Sequence, residues 1–185
     1  MLHDSQKRFT LNCICTMPLF CKVVTTSAIH NLSFTLHSKN AILPFRATFG
    51  SSGFDLFSSS WLPIRMKPLT RATVPTDVQV QYPPNCYGEI VARSGLASKY
   101  GITVLAGLCD SDYTGCLFVI LYNSSANSSY QILHGARIAQ LVIRPKHEND
   151  SFGVCSSCFP IDVGKNKNRK ITKQRGKQGL GSTGQ

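Results

Sequence analysis

Short apolar runs with a two-residue period recur along most of this chain, each closed by proline, glycine or serine. In residues 73–80 the alternation puts Val74, Val78 and Val80 on one face of an extended strand. Comparable runs cover residues 32–36, 87–92, 102–105, 117–122, 130–133 and 137–143. Many short strands with turns at near-regular spacing predict an all-β sandwich or barrel.

The length and charge fit one compact domain with basic tails. The 185 residues, 42% of them hydrophobic, suffice for one core of ordinary size. The net charge of +11 would suit an anionic partner, but much of it lies in one acid-free run near the C-terminus, at residues 165–177. We interpret this run as an arm that grasps phosphate, with a solvated basic tail as the alternative. Because basic and aromatic residues do not interleave, no specific nucleic acid is expected.

Residues 1–31 allow three interpretations: a disordered extension, a mitochondrial transit peptide or a poor secretory signal. No stretch of the chain is long and apolar enough to cross a bilayer, so no membrane partner is expected. The 8 cysteines are spread through the chain, which favours reduced thiols in the cytoplasm or nucleus. The mitochondrion is the alternative if the N-terminal segment is a transit peptide. Cys155 and Cys158 form a single CxxC pair, which we interpret as loop thiols rather than zinc ligands.

Two segments carry the chemistry. Arg93, Ser94 and Gly95 offer a guanidinium, a hydroxyl and an unshielded backbone N–H, three donors suited to phosphate oxygens. A short helix is expected at residues 94–99, with its N-terminal N–H groups aimed at phosphate. Residues 107–115 predict a hairpin tip between apolar strands, which brings Asp110 and Tyr113 to one end. Together these segments indicate a site for a nucleoside triphosphate.

Both segments resemble motifs of the trimeric dUTPase family, the second at residues 93–99 and the third at 107–115. Residues 53–57 resemble the first motif, 135–141 the fourth and 175–184 the glycine-rich fifth, all in the family's order. The resemblance covers the chain from about residue 32 to its end, and its strength lies in the combination of type, order and spacing.

The resemblance implies a distorted jelly-roll β-barrel subunit with a flexible C-terminal arm. Residues 1–31 would form the extension, 32–164 the core and 165–185 the arm that closes over the active site. The family assembles as a homotrimer in which each site draws on all three chains. The implied reaction is hydrolysis of dUTP to dUMP and pyrophosphate, which limits uracil incorporation into DNA and supplies dUMP for thymidylate synthesis. Mg²⁺ would be held by the substrate phosphates and water rather than by a carboxylate cluster.

The same resemblance assigns roles to individual residues. Asp110 would be the general base, and Arg175 of the arm would supply charge to the transition state. Tyr113 would pack against deoxyribose, backbone groups at residues 107–110 would read the uracil edge, and Asp55 would steady the metal's water shell. The implied substrate contacts are Arg93, Ser94, Gly95, Gly107, Leu108, Asp110, Tyr113, Gln140, Arg175, Leu180, Gly181, Ser182 and Thr183.

Some positions have structural interpretations that compete with these roles, or depart from the family pattern. Asp55 fits a turn before a strand as well, Asp112 fits a turn cap, and Arg137 fits a structural salt bridge. Ala136 stands where the fourth motif has an aspartate, and Gln178 and Leu180 change the fifth motif. An alternative function is therefore a dUTPase-fold protein with little catalysis, kept for nucleotide binding or regulation. The related dCTP deaminase chemistry is disfavoured because Glu89 lies before the second motif.

Overall fold

The computed structural model describes residues 12–14, 21–24, 32–146 and 176–177. In these ranges the chain is almost entirely strands and turns, with one short helix. In chain order the elements are β1 (Asn12–Ile14), β2 (Cys21–Val24), β3 (Ser33–Leu36), β4 (Phe54–Phe57), β5 (Ile64–Met66), β6 (Arg71–Gln81), β7 (Cys86–Val91), α1 (Ser94–Tyr100), β8 (Ile102–Leu105), β9 (Leu108–Cys109), β10 (Cys116–Asn123), β11 (Tyr130–Ile132) and β12 (Arg137–Pro145). None of the described segments forms a helix long and apolar enough to span a membrane.

The strands form three sheets. The largest has the order β1-β2-β3-β6-β10-β8, a second has the order β4-β12-β7-β9, and β11 pairs with β5. All the strand pairs are antiparallel. Because successive side chains of a strand point to opposite faces, each sheet turns one apolar face inward.

One hydrophobic core joins the three sheets. Phe34 of the first sheet meets Phe54 of the second edge to face, with ring centroids 5.4 Å apart. Ile132 and Met66 bring the two-stranded sheet into the same buried cluster, and Leu96 brings in α1. The core lies between the sheets, so the chemistry predicted above must be carried by strand ends, edges and turns.

The longest strand, β6, is central to its sheet. Val74, Val78 and Val80 are buried on one face, as the alternation predicts, and Thr76 lies between them. The Thr76 hydroxyl donates to the Leu117 carbonyl over 2.8 Å, which satisfies it inside the core. The β6–β10 register shifts here, which is the kind of irregularity that admits Pro75 in a central strand.

The predicted strands are present with shifted ends, but several strands were not predicted. β4, β5 and β9 are short or bounded by prolines and glycines, so periodicity does not reveal them. β1 and β2 lie within residues 1–31, where we expected a disordered or targeting extension, and β2 pairs with β3. The disordered and targeting interpretations of residues 1–31 both stay predictions.

Candidate active site

The Arg-Ser-Gly segment forms the corner between β7 and α1. Arg93 is the extended N-cap of α1, and its carbonyl accepts hydrogen bonds from the backbone N–H groups of Leu96 and Ala97, each over 3.0 Å. Ser94 and Gly95 are exposed in the first turn, whose N–H groups have no partner inside a helix. Gly101 ends the helix in the left-handed region, with φ of 66°. The predicted helix is confirmed, with its N-terminus at the predicted corner.

A buried carboxylate lies beside this corner. Asp55 is 1% exposed, and its Oδ2 lies 3.3 Å from Arg137 Nη1. Its Oδ1 accepts a hydrogen bond from Gln140 Nε2 over 3.1 Å. Arg93 Nε is 3.4 Å from the same oxygen, an ion-pair distance without hydrogen-bond geometry. We call Asp55, Arg93, Arg137 and Gln140 the Asp55 group.

Strand register assembles the Asp55 group. Asp55 of β4 is opposite Gln140 of β12, and Gln140 is in turn opposite Val91 of β7. Arg93 follows two residues after Val91, so three adjacent strands bring these polar side chains to one place. Gly53 permits the close approach of β4, because a Cβ there would lie 3.0 Å from the Gln140 Cβ. Residues far apart in sequence are therefore neighbours through backbone pairing.

Asp55 and Arg137 are paired in the protein. Asp55 lies within β4 and is buried, so its interpretation as a turn residue before a strand is wrong. The reason is that its carboxylate has cationic and amide donors, which permit burial of the charge. Arg137 forms the predicted salt bridge, to Asp55. The predicted contacts of Arg93, Ser94, Gly95 and Gln140 with phosphate remain predictions.

The hairpin is present as predicted. Leu105 of β8 pairs with Ile120 of β10, and the connection between these strands contains β9 and a turn. The turn is closed by a 3.1 Å hydrogen bond from the Tyr113 N–H to the Asp110 carbonyl. Asp110 is half-buried at the end of β9, and Asp112 is exposed in the turn. The carboxylate expected to act as base thus lies at a defined tip.

Gly107 is required where the hairpin crosses β7. A Cβ at residue 107 would collide with the Ile90 carbonyl oxygen, so only glycine allows this approach. The Gly107 carbonyl accepts a 2.7 Å hydrogen bond from the Ile90 N–H. β9 is the last strand of its sheet among the described residues, so the edge of Leu108 that faces away from β7 is open. The predicted reading of a base by backbone groups of this hairpin remains a prediction.

Tyr113 has both a structural and a candidate binding role. Its hydroxyl donates to the Cys116 carbonyl over 2.7 Å, and its ring covers Gly115, where a side chain would collide with it. The ring is half-buried against the core. These contacts fix the ring at the hairpin, and its predicted packing against deoxyribose remains a prediction.

Tyr82 also lies near the hairpin, and the sequence pattern did not indicate it. Tyr82 is 8% exposed, and its hydroxyl has no hydrogen-bond partner. It interacts electrostatically with Cys109, Asp110 and Tyr113. Tyr82 follows β6 and precedes Pro83, and neither its spacing nor its neighbours mark it as a site residue. We call Tyr82, Cys109, Asp110 and Tyr113 the hairpin group.

The two groups lie at opposite ends of β7. Cys109 pairs with Gly88, and because the strands are antiparallel Asp110 is level with Tyr87. Arg93 is six residues further along extended backbone, a distance of about 20 Å at the usual rise of a strand. Within one chain the two groups are therefore separated by the length of the strand, and the resemblance implies that one site draws residues from several chains.

The described part of the C-terminal arm lies beside the hairpin. The Thr114 N–H donates to the Gly176 carbonyl over 2.8 Å, and Tyr113 and Gly176 form a parallel bridge. This contact is made within one chain, and closure of the arm over the active site remains a prediction. The arm positions assigned to substrate, Arg175, Leu180, Gly181, Ser182 and Thr183, lie outside the described residues, and so do Cys155 and Cys158.

Among the described residues, no group of three or more histidine, cysteine and acidic side chains is arranged to hold a metal. Both oxygens of Asp55 already face cationic or amide donors. Such a carboxylate suits an outer position, where it would orient other groups rather than bind a metal directly.

The sequence matches the family model for dUTPase over residues 39–184. A relative from Fowl adenovirus A serotype 1 (strain CELO / Phelps), named deoxyuridine 5'-triphosphate nucleotidohydrolase, is 48% identical over 60% of this chain and 61% of its own length. The match thus spans less than two thirds of that viral protein. The mouse protein of the same name is 35% identical over 83% of this chain and 85% of its own.

Solved structures similar to this chain are also dUTPases. A dUTPase mutant from phage phi11 of S. aureus, described with a structural Mg(II) ion, superposes with a TM-score of 0.59 at 28% identity, covering 63% of this chain and 92% of its own. A Staphylococcus bacteriophage 80alpha dUTPase mutant with dUpNHpp has a TM-score of 0.59 at 27% identity, covering 84% and 99%. The fold is the all-β jelly roll of nucleotide-hydrolysing enzymes. The chain belongs to the dUTPase family, which confirms the predicted family, fold and enzyme class, dUTP diphosphatase.

Proposed function

We propose that this protein hydrolyses dUTP to dUMP and pyrophosphate at sites shared between copies of the chain. Family membership supports the reaction, and the named relatives include viral, bacterial and eukaryotic deoxyuridine 5'-triphosphate nucleotidohydrolases. The observation that carries the shared site is the separation of the Asp55 group from the hairpin group along β7.

In this proposal the Asp55 group binds the triphosphate. The Asp55 carboxylate lies against Arg93 and Gln140 and so orients both side chains. Arg93 is 24% exposed, so its guanidinium can present N–H donors to phosphate oxygens without leaving the ion pair. The first N–H groups of α1, at Ser94 and Gly95, would add backbone donors from the same corner.

The hairpin group supplies the base and the nucleoside contacts. Asp110 would take a proton from the water that attacks the α-phosphorus, a step for which a carboxylate at a hairpin tip is suited. The open edge of β9 would bind the uracil edge through the Leu108 backbone. Tyr113 would pack against the sugar, where its fixed ring leaves no room for a 2′-hydroxyl.

Mg²⁺ fits this arrangement as a partner of the substrate rather than of the protein. When bound, it would neutralise charge on the triphosphate. The chain's own contribution is indirect, because Asp55 is already paired with arginine and glutamine and would act on the metal's waters. Arg175 of the arm would add charge in the transition state.

A base must lie within hydrogen-bond reach of its water, directly or through one more water. A span of about 20 Å between Arg93 and Asp110 of one chain exceeds that reach. Asp110 of one copy would therefore act on a triphosphate held by the Asp55 group of another. The trimer follows from the family resemblance, and an apolar surface on this chain supports association.

That surface is the outer face of β6, β10 and β8. Phe118 is 46% exposed and Leu105 is 38% exposed, and register puts both on the face with Ile120 and Tyr122. An exposed apolar sheet face of this kind is typical of a subunit contact.

Mixing two inactive variants tests the shared site. Arg93→Ala removes a phosphate contact and Asp110→Asn removes the base, so each homogeneous protein should hydrolyse dUTP poorly. After the two are unfolded, mixed equally and refolded, about a quarter of two-chain sites would carry both intact residues. Pyrophosphate release should then recover to about that fraction of the parent rate.

The matched control mixes Arg93→Ala with Gln140→Ala, which alter the same group. Every site in that mixture retains a defect on its phosphate side, so mixing should restore nothing. If the first mixture also stays inactive while both variants assemble, the base and the phosphate contacts belong to one chain and the shared site is rejected.

We propose the cytoplasm or nucleus as the location, with the mitochondrion if residues 1–31 are a transit peptide. A human protein named as mitochondrial is 35% identical over 83% of this chain and 54% of its own length. Import of a fusion of residues 1–31 to a reporter protein tests the mitochondrial alternative.

A further inference from the structure

Tyr82 is buried without a hydrogen-bond partner beneath the hairpin. Its side chain packs on Gly88, where a Cβ would lie 2.8 Å from the ring atom Cε1. Gly88 pairs with Cys109, the residue before Asp110. The phenol therefore lies close to β9, and the proposed base, Asp110, directly follows that strand. A buried hydroxyl with no partner costs about 1–3 kcal/mol, so its presence needs an explanation.

The groups around the Tyr82 hydroxyl leave one strong acceptor. The titratable groups that interact with it are the Cys109 thiol, which is also its one weak hydrogen-bonding neighbour, the Asp110 carboxylate and the Tyr113 hydroxyl. Sulfur is a weak acceptor, and the Cys109 thiol points to the Gly107 carbonyl. The Tyr113 hydroxyl is bound to the Cys116 carbonyl. The carboxylate of Asp110 is the charged acceptor, and hydrogen bonds to charged groups are roughly twice as strong as neutral ones.

The hydroxyl also keeps its proton. Burial, followed by the nearby Cys109 and Asp110, raises the pKa of Tyr82 far above its usual value. A tyrosine in this state remains a donor at every pH at which the enzyme would work.

We propose that Tyr82 is a positioning residue for Asp110: when the site closes on substrate, the buried hydroxyl donates to the carboxylate and orients it toward the attacking water. This inference rests on the proposed role of Asp110 as base. The bond would form by a small movement of the hairpin tip, whose edge strand is paired on one side only in the described sheet. No covalent step is added, because Tyr82 neither gains nor loses a proton.

The test is the pH profile of Tyr82→Phe, which keeps the ring on Gly88 and deletes only the hydroxyl. A hydrogen bond to a carboxylate lowers its pKa, so its loss should move the acid limb of kcat to higher pH by about one unit. Below the limb kcat should fall about tenfold, and at alkaline pH the two rates should converge. KM for dUTP should stay within about twofold, because the Asp55 group is untouched.

Tyr100→Phe is the matched control, since it deletes an exposed tyrosine hydroxyl at the far end of α1. Its pH profile should coincide with that of the parent. Tyr82→Leu removes the ring as well and should show the same displaced limb. Tyr82→Phe is expected to keep the melting temperature or raise it, whereas Tyr82→Leu should lower it because loss of the ring leaves a cavity.

The outcomes separate this inference from the function on which it depends. If Tyr82→Phe is more stable than the parent but has the parent's pH profile, the hydroxyl is only an unpaired group and the inference is wrong. If Asp110→Asn turns over like the parent, Asp110 is not the base and the proposed mechanism fails first. An inactive Asp110→Asn together with a displaced limb in Tyr82→Phe supports both.

Discussion

The Asp55 group and the hairpin group differ in how their carboxylates are surrounded. In the Asp55 group a carboxylate that is 1% exposed lies among two arginines and a glutamine, and adjacent strands fix each position. In the hairpin group the carboxylate is at a turn, and the hydroxyl beside it has no hydrogen-bond partner. In the first group each charged side chain already faces an opposite charge, which suits binding. In the second the proposed base lies at a turn, where it can face a bound substrate, which suits chemistry.

The largest effect should come from the base. Asp110→Asn keeps the size of the side chain but cannot accept a proton, so kcat should fall by about 10³-fold. Affinity for dUpNHpp should change little, because the phosphate contacts lie in the other group. Pyrophosphate release and calorimetric binding measure the two quantities. A matching loss of affinity would contradict the assignment of binding to the Asp55 group and of chemistry to the hairpin group.

The next effect concerns the two glycines, one beside each group. Gly107→Ala should destabilise the protein by about 3 kcal/mol, because its Cβ would collide with the Ile90 carbonyl. Gly95→Ala meets no atom within 4 Å, so its stability should stay within about 0.5 kcal/mol of the parent. Urea unfolding of both variants measures the difference. Equal losses would mean that the hairpin does not depend on its crossing of β7.

Removal of the buried carboxylate should cost less. Asp55→Asn leaves Arg93 and Arg137 without their counter-ion, but the arginines are 24% and 47% exposed, so water offsets part of the penalty. We expect a loss of about 2 kcal/mol in unfolding free energy, with weaker binding of dUpNHpp. Glu89→Gln, which breaks the exposed pair with Arg144, is the control and should cost under about 1 kcal/mol. A loss no greater than this control would show that the Asp55 group is not prearranged.

The smallest effect concerns the sugar. Tyr113→Ala should lower the preference for dUTP over UTP by about tenfold, since discrimination by exclusion of one hydroxyl is of modest size. The ratio of kcat/KM for the two substrates measures it, and Tyr113→Phe separates the ring from the hydroxyl that binds Cys116. An unchanged ratio in the alanine variant would leave Tyr113 with its structural role alone.

The sequence allowed the fold class to be predicted because alternation at residues such as Val74 and Val78 depends only on local period. The helix corner and hairpin tip were also predicted, since Ser94, Gly95 and Asp110 occur in local motifs. The burial of Asp55 could not be predicted from alternation, because it depends on the pairing of β4 with β12. Tyr82 was missed for the same reason, since only the β7–β9 pairing reveals its neighbours.

The central place of β6 has a consequence for how the enzyme is made. Its two flanking strands, β3 and β10, lie 37 to 51 positions before or after the residues with which they pair. Contacts at such separation make folding slow, because loop-closure entropy is lost before the pairing gains anything. During synthesis β6 cannot complete its pairing until β10 has been made. The loop that contains β9 and the turn is made just before β10. We expect no partial activity from a nascent chain, and maturation of the enzyme should be limited by completion of the barrel.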